Sequence, residues 1–260
     1  MKFGMLLSLS LVVAASALAN DVPSQNVVGI LRVDSSAKRT VVAVPWAGCS
    51  QNGGAIKVTD VIKTANLTVG DMLHVLDATT TNYNTWELKA GQGGVLVWTP
   101  VTQVTKEGGT TKTPTAEDVT INRGDAIVLI RKTPGSCFYL YGQYVSTSAS
   151  STVQAGTSSA PCYNLIAPSG TSDVDINAVG VMTGTGTPAD ADRILVPQAN
   201  GYYTELKYDD GTWKSRELVE GQYGMSTYQW KAYTKKIPVG TGVWYVSYGG
   251  APTFTWRDFN

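Results

Sequence analysis

Histidine occurs once, at His74, and cysteine three times, at Cys49, Cys137 and Cys162, in a chain of 260 residues. No Cys-x-x-Cys pair accompanies them, so zinc-ligand spacing is missing. A Ser-His-Asp triad would have to recruit His74 from inside the apolar stretch Met72–Leu76. Charge is scarce as well: 15% of residues are charged and the two signs balance, which argues against a nucleic-acid partner or an anionic bilayer, since both call for a basic patch. There is no G-x-S-x-G elbow, Walker loop or dinucleotide fingerprint, and Gly91–Gly94 runs into the strand-like Val-Leu-Val-Trp instead of a helix. No pair of carboxylates is singled out for glycoside hydrolysis. These gaps predict a non-catalytic protein without cofactor or metal.

Long apolar runs are missing beyond the N-terminus, so no transmembrane helix is expected in the mature chain. Residues 1–19 place Lys2 before an apolar run and end in Ala17-Leu18-Ala19, the pattern of a secretory signal cleaved before Asn20. The destination expected from it is the periplasm, the outer surface or the extracellular space. Under oxidising conditions Cys137 and Cys162 are candidates for a disulfide joining the two halves of the chain. Cys49 with Cys137 is the rival pair, and three reduced buried thiols the third alternative.

What is abundant is Gly, Ser, Thr, Tyr and β-branched residues, the composition of an all-β protein. The stretch Ile121–Tyr144 has a counterpart in Ile237–Asn260, offset by 116, with Ile121/Ile237, Gly124/Gly240 and Phe138/Phe254 identical. Each copy reads as a β-hairpin, an apolar run (Ala126–Ile130, Val243–Val246) followed by a Pro/Gly turn and an aromatic strand. Val41–Pro45 matches the segment ending at Pro168 at an offset of 123, Asp71 with Leu73–Val75 matches Asp192 with Ile194–Val196 at 121, and Tyr83 matches Tyr203 at 120. Four segments in one order predict a tandem duplication of a unit of about 120 residues.

The expected organisation is therefore signal 1–19, first β repeat 20–145, a Ser/Thr-rich linker 146–161 that can include the first strand of the next unit, and second β repeat 162–260. Both repeats are read as antiparallel and β-sandwich-like. Asp209-Asp210-Gly211 predicts a tight hairpin turn. A short helix is expected around Ile56–Lys63, and an exposed loop at Thr105–Thr115.

The opening Asn26-Val27-Val28-Gly29, a polar bend, and Thr40–Trp46 closing on Val-Pro-Trp resemble the start of a group of uncharacterised exported bacterial proteins. In that group Asn-Val-Val-Gly-Tyr leads to a strand ending in a Pro-aromatic pair; here Ile30 stands in place of the tyrosine. The resemblance implies export and a β fold. It implies no activity.

Asp173, Asp175 and Asn177 begin like a calcium loop, but Ala178 and Gly184 occupy the places due to glycine and glutamate, so an acidic surface turn is expected. Arg123-Gly124-Asp125 spells an adhesion tripeptide, yet its repeat counterpart keeps only the glycine. Aromatics are the remaining signal: fourteen of twenty-four lie between Tyr202 and Phe259. Tyr223, Tyr228, Trp230 and Tyr233, set among polar residues, are the candidate ligand-binding side chains, with a glycan or an envelope protein as partner. The function expected is an exported structural or binding module of the cell envelope or extracellular space. A carbohydrate-binding module and an outer-membrane β-barrel are the alternatives. Intact-mass measurement of the exported chain should find Asn20 as its first residue; a retained Met1 would refute the signal.

Overall fold

The computed structural model of the chain describes residues 28–35, 37–44, 56–57, 62, 64, 66–76, 83–101, 120–121, 123–143, 149–168, 172–183, 191–221, 225–249 and 253–256. The first half contains β1 (Val28–Ser35), β2 (Arg39–Ala43), β3 (Ile56–Lys57), β4 (Met72–Leu76), β5 (Tyr83–Ala90), β6 (Leu96–Val101), β7 (Thr120–Ile121), β8 (Ala126–Ile130) and β9 (Ser136–Gln143). The second contains β10 (Ala149–Thr152), β11 (Cys162–Ile166), a one-turn helix α1 (Ile176–Val179), β12 (Gly180–Thr183), β13 (Arg193–Pro197), β14 (Tyr203–Asp209), β15 (Thr212–Glu220), β16 (Ser226–Ala232), β17 (Val243–Ser247) and β18 (Thr253–Trp256).

The two halves are sheet-rich domains with one strand order. The large sheets run β2-β8-β4-β5-β6 and β11-β17-β13-β14-β15-β16, and the small ones β1-β9 and β10-β18-β12. Smaller pairings correspond too: Ile56 faces Ile121 as Val174 faces Ile237, and Ile62 bridges to Leu140 on the side of β9 where β12 lies on β18. Among the described residues both large sheets end in unpaired edges and do not close, which overturns the barrel alternative. The Ser/Thr-rich segment contributes β10, paired with β18, and buries Val153 in the second core.

Asp210 and Gly211 take φ of 50° and 71° between β14 and β15, the expected hairpin turn. Within the stretch read as a short helix, Ile56–Lys57 is strand and Ile62 a bridge, while residues 58–61 and 63, like the loop at 105–115, lie outside the described residues.

The hairpins expected at Ile121–Tyr144 and Ile237–Asn260 are not formed. β8 is paired on its two sides by β2 and β4, and β17 by β11 and β13; β9 and β18 cross to the small sheets instead. The physical reason lies in the apolar runs themselves. Ile127 and Leu129 point into the first sandwich core while Ala126 and Val128 point the other way, into a third apolar cluster. A strand buried on both faces is a central strand, and its ladder positions are already taken when the chain turns. The terminal strand keeps its expected face: Phe254 and Trp256 are both buried, ring centroids 4.7 Å apart.

That third cluster joins the repeats. Val41, Ala43, Ala126 and Val128 of the first large sheet meet Leu165, Ala167 and Trp244 of the second, so the layers stack small sheet, large sheet, large sheet, small sheet. The junction has an internal twofold character. Val42, opposite Ile127 in its own ladder, bridges to Thr241; Ile166, opposite Val243, bridges to Asp125. Ala43 N–H donates to the Gly240 carbonyl at 2.9 Å, and Ala167 N–H to the Gly124 carbonyl at 2.8 Å. The two glycines retained between the repeats thus serve one purpose, a bend with φ of 94° and 81° that offers a carbonyl to the other repeat. A Cβ on Gly240 would sit 2.8 Å from Leu31 Cδ2. Gly240→Val should therefore destabilise the fold by about 2–4 kcal/mol through backbone strain and overpacking. An unchanged denaturant midpoint would show that this junction does not hold the repeats in solution.

Candidate functional site

β15 is longer than its neighbour can use. Thr212–Ser215 pairs with β14, whereas Lys214–Glu220 pairs with β16, so beyond Ser215 the β15-β16 hairpin parts from the β14 ladder. Its root is fixed from below. The Asn177 side chain accepts from Trp213 N–H at 2.7 Å and donates to the carbonyls of Trp213 and Tyr233 at 3.2 and 3.0 Å. Asp175 caps α1 by accepting from Asn177 N–H, and Asp173 accepts from Val239 N–H. Each member of the calcium-like triplet therefore has a structural partner.

Strand alternation sorts the hairpin's side chains. Trp213 and Ser215 face the core and are buried. Arg216, Leu218, Tyr228 and Trp230 share the outer face, with Arg216 opposite Trp230 and Leu218 opposite Tyr228. Leu218 is 59% exposed, Tyr228 60% and Trp230 38%. The Arg216 guanidinium lies over the Tyr228 ring, 4.5 Å from its centroid, a cation–π contact. Exposed Met225 precedes β16, paired with Gly221 and out of phase with Tyr228 and Trp230.

Of the aromatics expected at the site, the structure brings Tyr228 and Trp230 together on this face. Tyr233 is a correction: it is 5% exposed and packs in the second core beside Trp213. Five residues beyond Tyr228, an odd step in a strand, it faces the opposite side. Tyr223 lies outside the described residues. Arg216 and Leu218 were missed because they come from the facing strand; pairing the hairpin in register is the step that would have found them.

The Cys137–Cys162 disulfide is also corrected. Both are free thiols, Cys137 opposite Asp34 in the β1-β9 sheet and Cys162 opposite Ser247 in the β11-β17 ladder. They are near in chain order but stand in sheets of different repeats. Cys49 lies outside the described residues. A hydrogen bond from Arg32 holds the Cys137 thiol below its usual pKa.

The buried carboxylates have structural partners. Asp71 and Asp192, at matching places before β4 and β13, each accept a backbone N–H at 2.7 Å from just beyond the matching strands, Lys132 and Tyr248. Asp71 also meets Arg131 at 3.0 Å, and Arg131 donates to Ser35 and the Asn66 carbonyl. Asp192 accepts from the Tyr245 hydroxyl. His74 is half-buried on the outer face of β4 against Tyr83, with its pKa lowered by burial and then by Arg39. Lys38 and Arg39 face Asn200 and Tyr203 across an open cleft of about 310 Å3 whose lining includes no carboxylate, thiol or imidazole. Among the described residues no group of three His, Cys, Asp or Glu is placed to hold a metal ion.

No protein-family model, curated protein or solved structure matches this chain.

Burial, reinforced by Asp192, raises the Tyr245 hydroxyl far above its ordinary pKa of 10.0. Tyr245→Phe leaves a buried carboxylate short of a donor and should cost about 1–3 kcal/mol at neutral pH. The wild-type advantage is complete below the unfolded pKa near 10 and declines as pH rises toward the raised folded value, because the unfolded tyrosine then ionises. Denaturant titrations at neutral and strongly alkaline pH check this; a penalty independent of pH would remove the linkage.

Proposed function

We propose that this chain is an exported, non-catalytic binding module of the cell envelope or extracellular space, and that it engages a protein through the outer face of the β15-β16 hairpin. The observation that carries the reading is that face itself: Leu218, Tyr228 and Trp230 exposed together, beside Arg216, on the part of the hairpin that has left the β14 ladder. Tyr, Trp and Arg are the residue types that dominate protein interfaces. Export rests on the Lys2-to-Ala19 pattern. The non-catalytic reading is supported by the carboxylates Asp71 and Asp192, whose oxygens are taken up by structural hydrogen bonds, and by the cleft at Arg39 and Tyr203, whose lining offers no carboxylate, thiol or imidazole.

A glycan is the second reading, favoured by one feature: Tyr228 and Trp230 stand two residues apart on one face, about 7 Å along the strand. Against it, Arg216 already covers one face of the Tyr228 ring, which leaves less of that ring open to a sugar. Leu218 adds aliphatic surface, which suits a protein better.

A photo-crosslinking residue at Leu218, on the outer face, should capture a protein adduct in the native envelope fraction. The same residue at Glu217, exposed on the opposite face, should capture much less. Equal capture from both positions, or none from either, removes the reading. Glycan-array binding abolished by Trp230→Ala would move the assignment to carbohydrate.

A further inference from the structure

Among the described residues β16 is the outermost strand of its sheet, and all seven of its residues are exposed. Its ladder with β15 fixes which backbone groups are free. Gly221 N–H donates to the Met225 carbonyl at 2.7 Å, and Tyr233 N–H to the Trp213 carbonyl at 2.9 Å, one at each end of the ladder. Antiparallel pairs alternate between bonded and non-bonded. The bonded pairs in between are therefore Val219–Thr227, Glu217–Gln229 and Ser215–Lys231. The N–H and C=O groups of Ser226, Tyr228, Trp230 and Ala232 point the other way, toward the open edge.

We propose that β16 pairs antiparallel with β16 of a second copy of this chain, about a twofold axis through Gln229. The proposal rests on the binding-module reading above and names its partner. In this register Ser226 lies opposite Ala232 of the second copy, Thr227 opposite Lys231, Tyr228 opposite Trp230, and Gln229 opposite itself. Every edge-directed N–H and C=O of the strand gains a mate. Two Tyr–Trp cross-strand pairs form on the outer face, a favourable aromatic pairing. Lys231, the one charged residue of β16, faces a threonine and not its own image.

Other registers do less. A one-residue slip sets edge-directed groups of one copy against inward-directed groups of the other. Centring on Tyr228 or Trp230 shortens the overlap and leaves end groups unpaired. The strand is also lightly defended: exposed edges are commonly blunted by charges, lysine above all, by a proline or by a bulge, and Ser226–Ala232 has a single lysine and no proline. Closed twofold pairing is the commonest way such a surface is covered.

The test is sedimentation velocity of the full mature chain over a concentration series. A reversible dimer is expected. Trp230→Pro removes an edge-directed N–H and none that bonds to β15, so it should weaken the dimer by about tenfold or more. Gln229→Cys gives an independent readout that does not depend on how well the proline variant folds. At the axis the two Cα atoms stand about 4.5 Å apart, within disulfide reach, and mild oxidation should produce a covalent dimer on a non-reducing gel. Glu217→Cys, one strand inward on the same face, should stay at the level of the unsubstituted chain, whose Cys49, Cys137 and Cys162 set the baseline. A chain monomeric at every concentration overturns self-pairing, even where the Leu218 cross-link captures another protein and the binding reading stands. A dimer indifferent to both Trp230→Pro and Gln229→Cys places the contact elsewhere and overturns it as well.

Discussion

The double-sided burial of β8 and β17 is the constraint on which the rest depends. Each strand has one row of side chains in its own sandwich core and one row in the junction between repeats. Removing either neighbour layer would leave an apolar surface open to water at about 25 cal/mol per Å2. The repeats are therefore not beads on a string. The first repeat's β2 and β8 cover β11 and β17 of the second, and the Gly124 and Gly240 carbonyls lock the arrangement by exchange. An isologous contact of this form is what a homodimer uses; here it lies within one chain, as duplication followed by fusion would leave it.

The correspondence of the two halves was legible because its markers sit at positions with no freedom. Gly124 and Gly240 must reach positive φ, Ile121 and Ile237 are fully buried beside their small pairings, and Phe138 and Phe254 fill the centres of the two cores. Asp71 and Asp192 were visible as an offset but not as buried acceptors, because what makes them so, the Lys132 and Tyr248 amides, arrives from some 60 residues away. The hairpin reading failed for a related reason. A turn between two strands looks the same in sequence whether the chain folds back beside itself or crosses to the facing sheet. The cue that decides is the unbroken apolar run of Ala126–Ile130 and Val243–Val246, which marks strands with no face left for water.

The candidate site was half legible. Period two places Tyr228 with Trp230 and sends Tyr233 to the other side, so the burial of Tyr233 follows from the sequence once a strand is accepted there. The partners across the hairpin, Arg216 and Leu218, depend on the β15-β16 register, which the amino-acid sequence near Gly221 does not specify. The cysteine pair misled because nearness in the chain says little in a β protein: Cys137 and Cys162 lie in ladders closed by Asp34 and Ser247, in different sheets.

The arrangement of the second repeat bears on why its edge matters. Isolated two-stranded ribbons are marginal in water, yet beyond Ser215 β15 pairs only with β16 among the described residues, and their residues there are largely exposed. The root compensates. Trp213 and Tyr233 are buried at its base, and Asn177 ties both strands to α1 through three hydrogen bonds. So anchored, the hairpin can hold Leu218, Tyr228 and Trp230 in water at fixed spacing without a core beneath them. That combination has a cost, since an open edge with large apolar side chains also invites unspecific pairing. The strands β17 and β18 bury Trp244, Tyr245, Phe254 and Trp256, so the fold has the means to bury rings such as these. Leaving them out beside a fixed root is consistent with a surface kept for a specific contact, and the side-chain phase of Ser226–Ala232 puts the rings and the free backbone groups at the same residues.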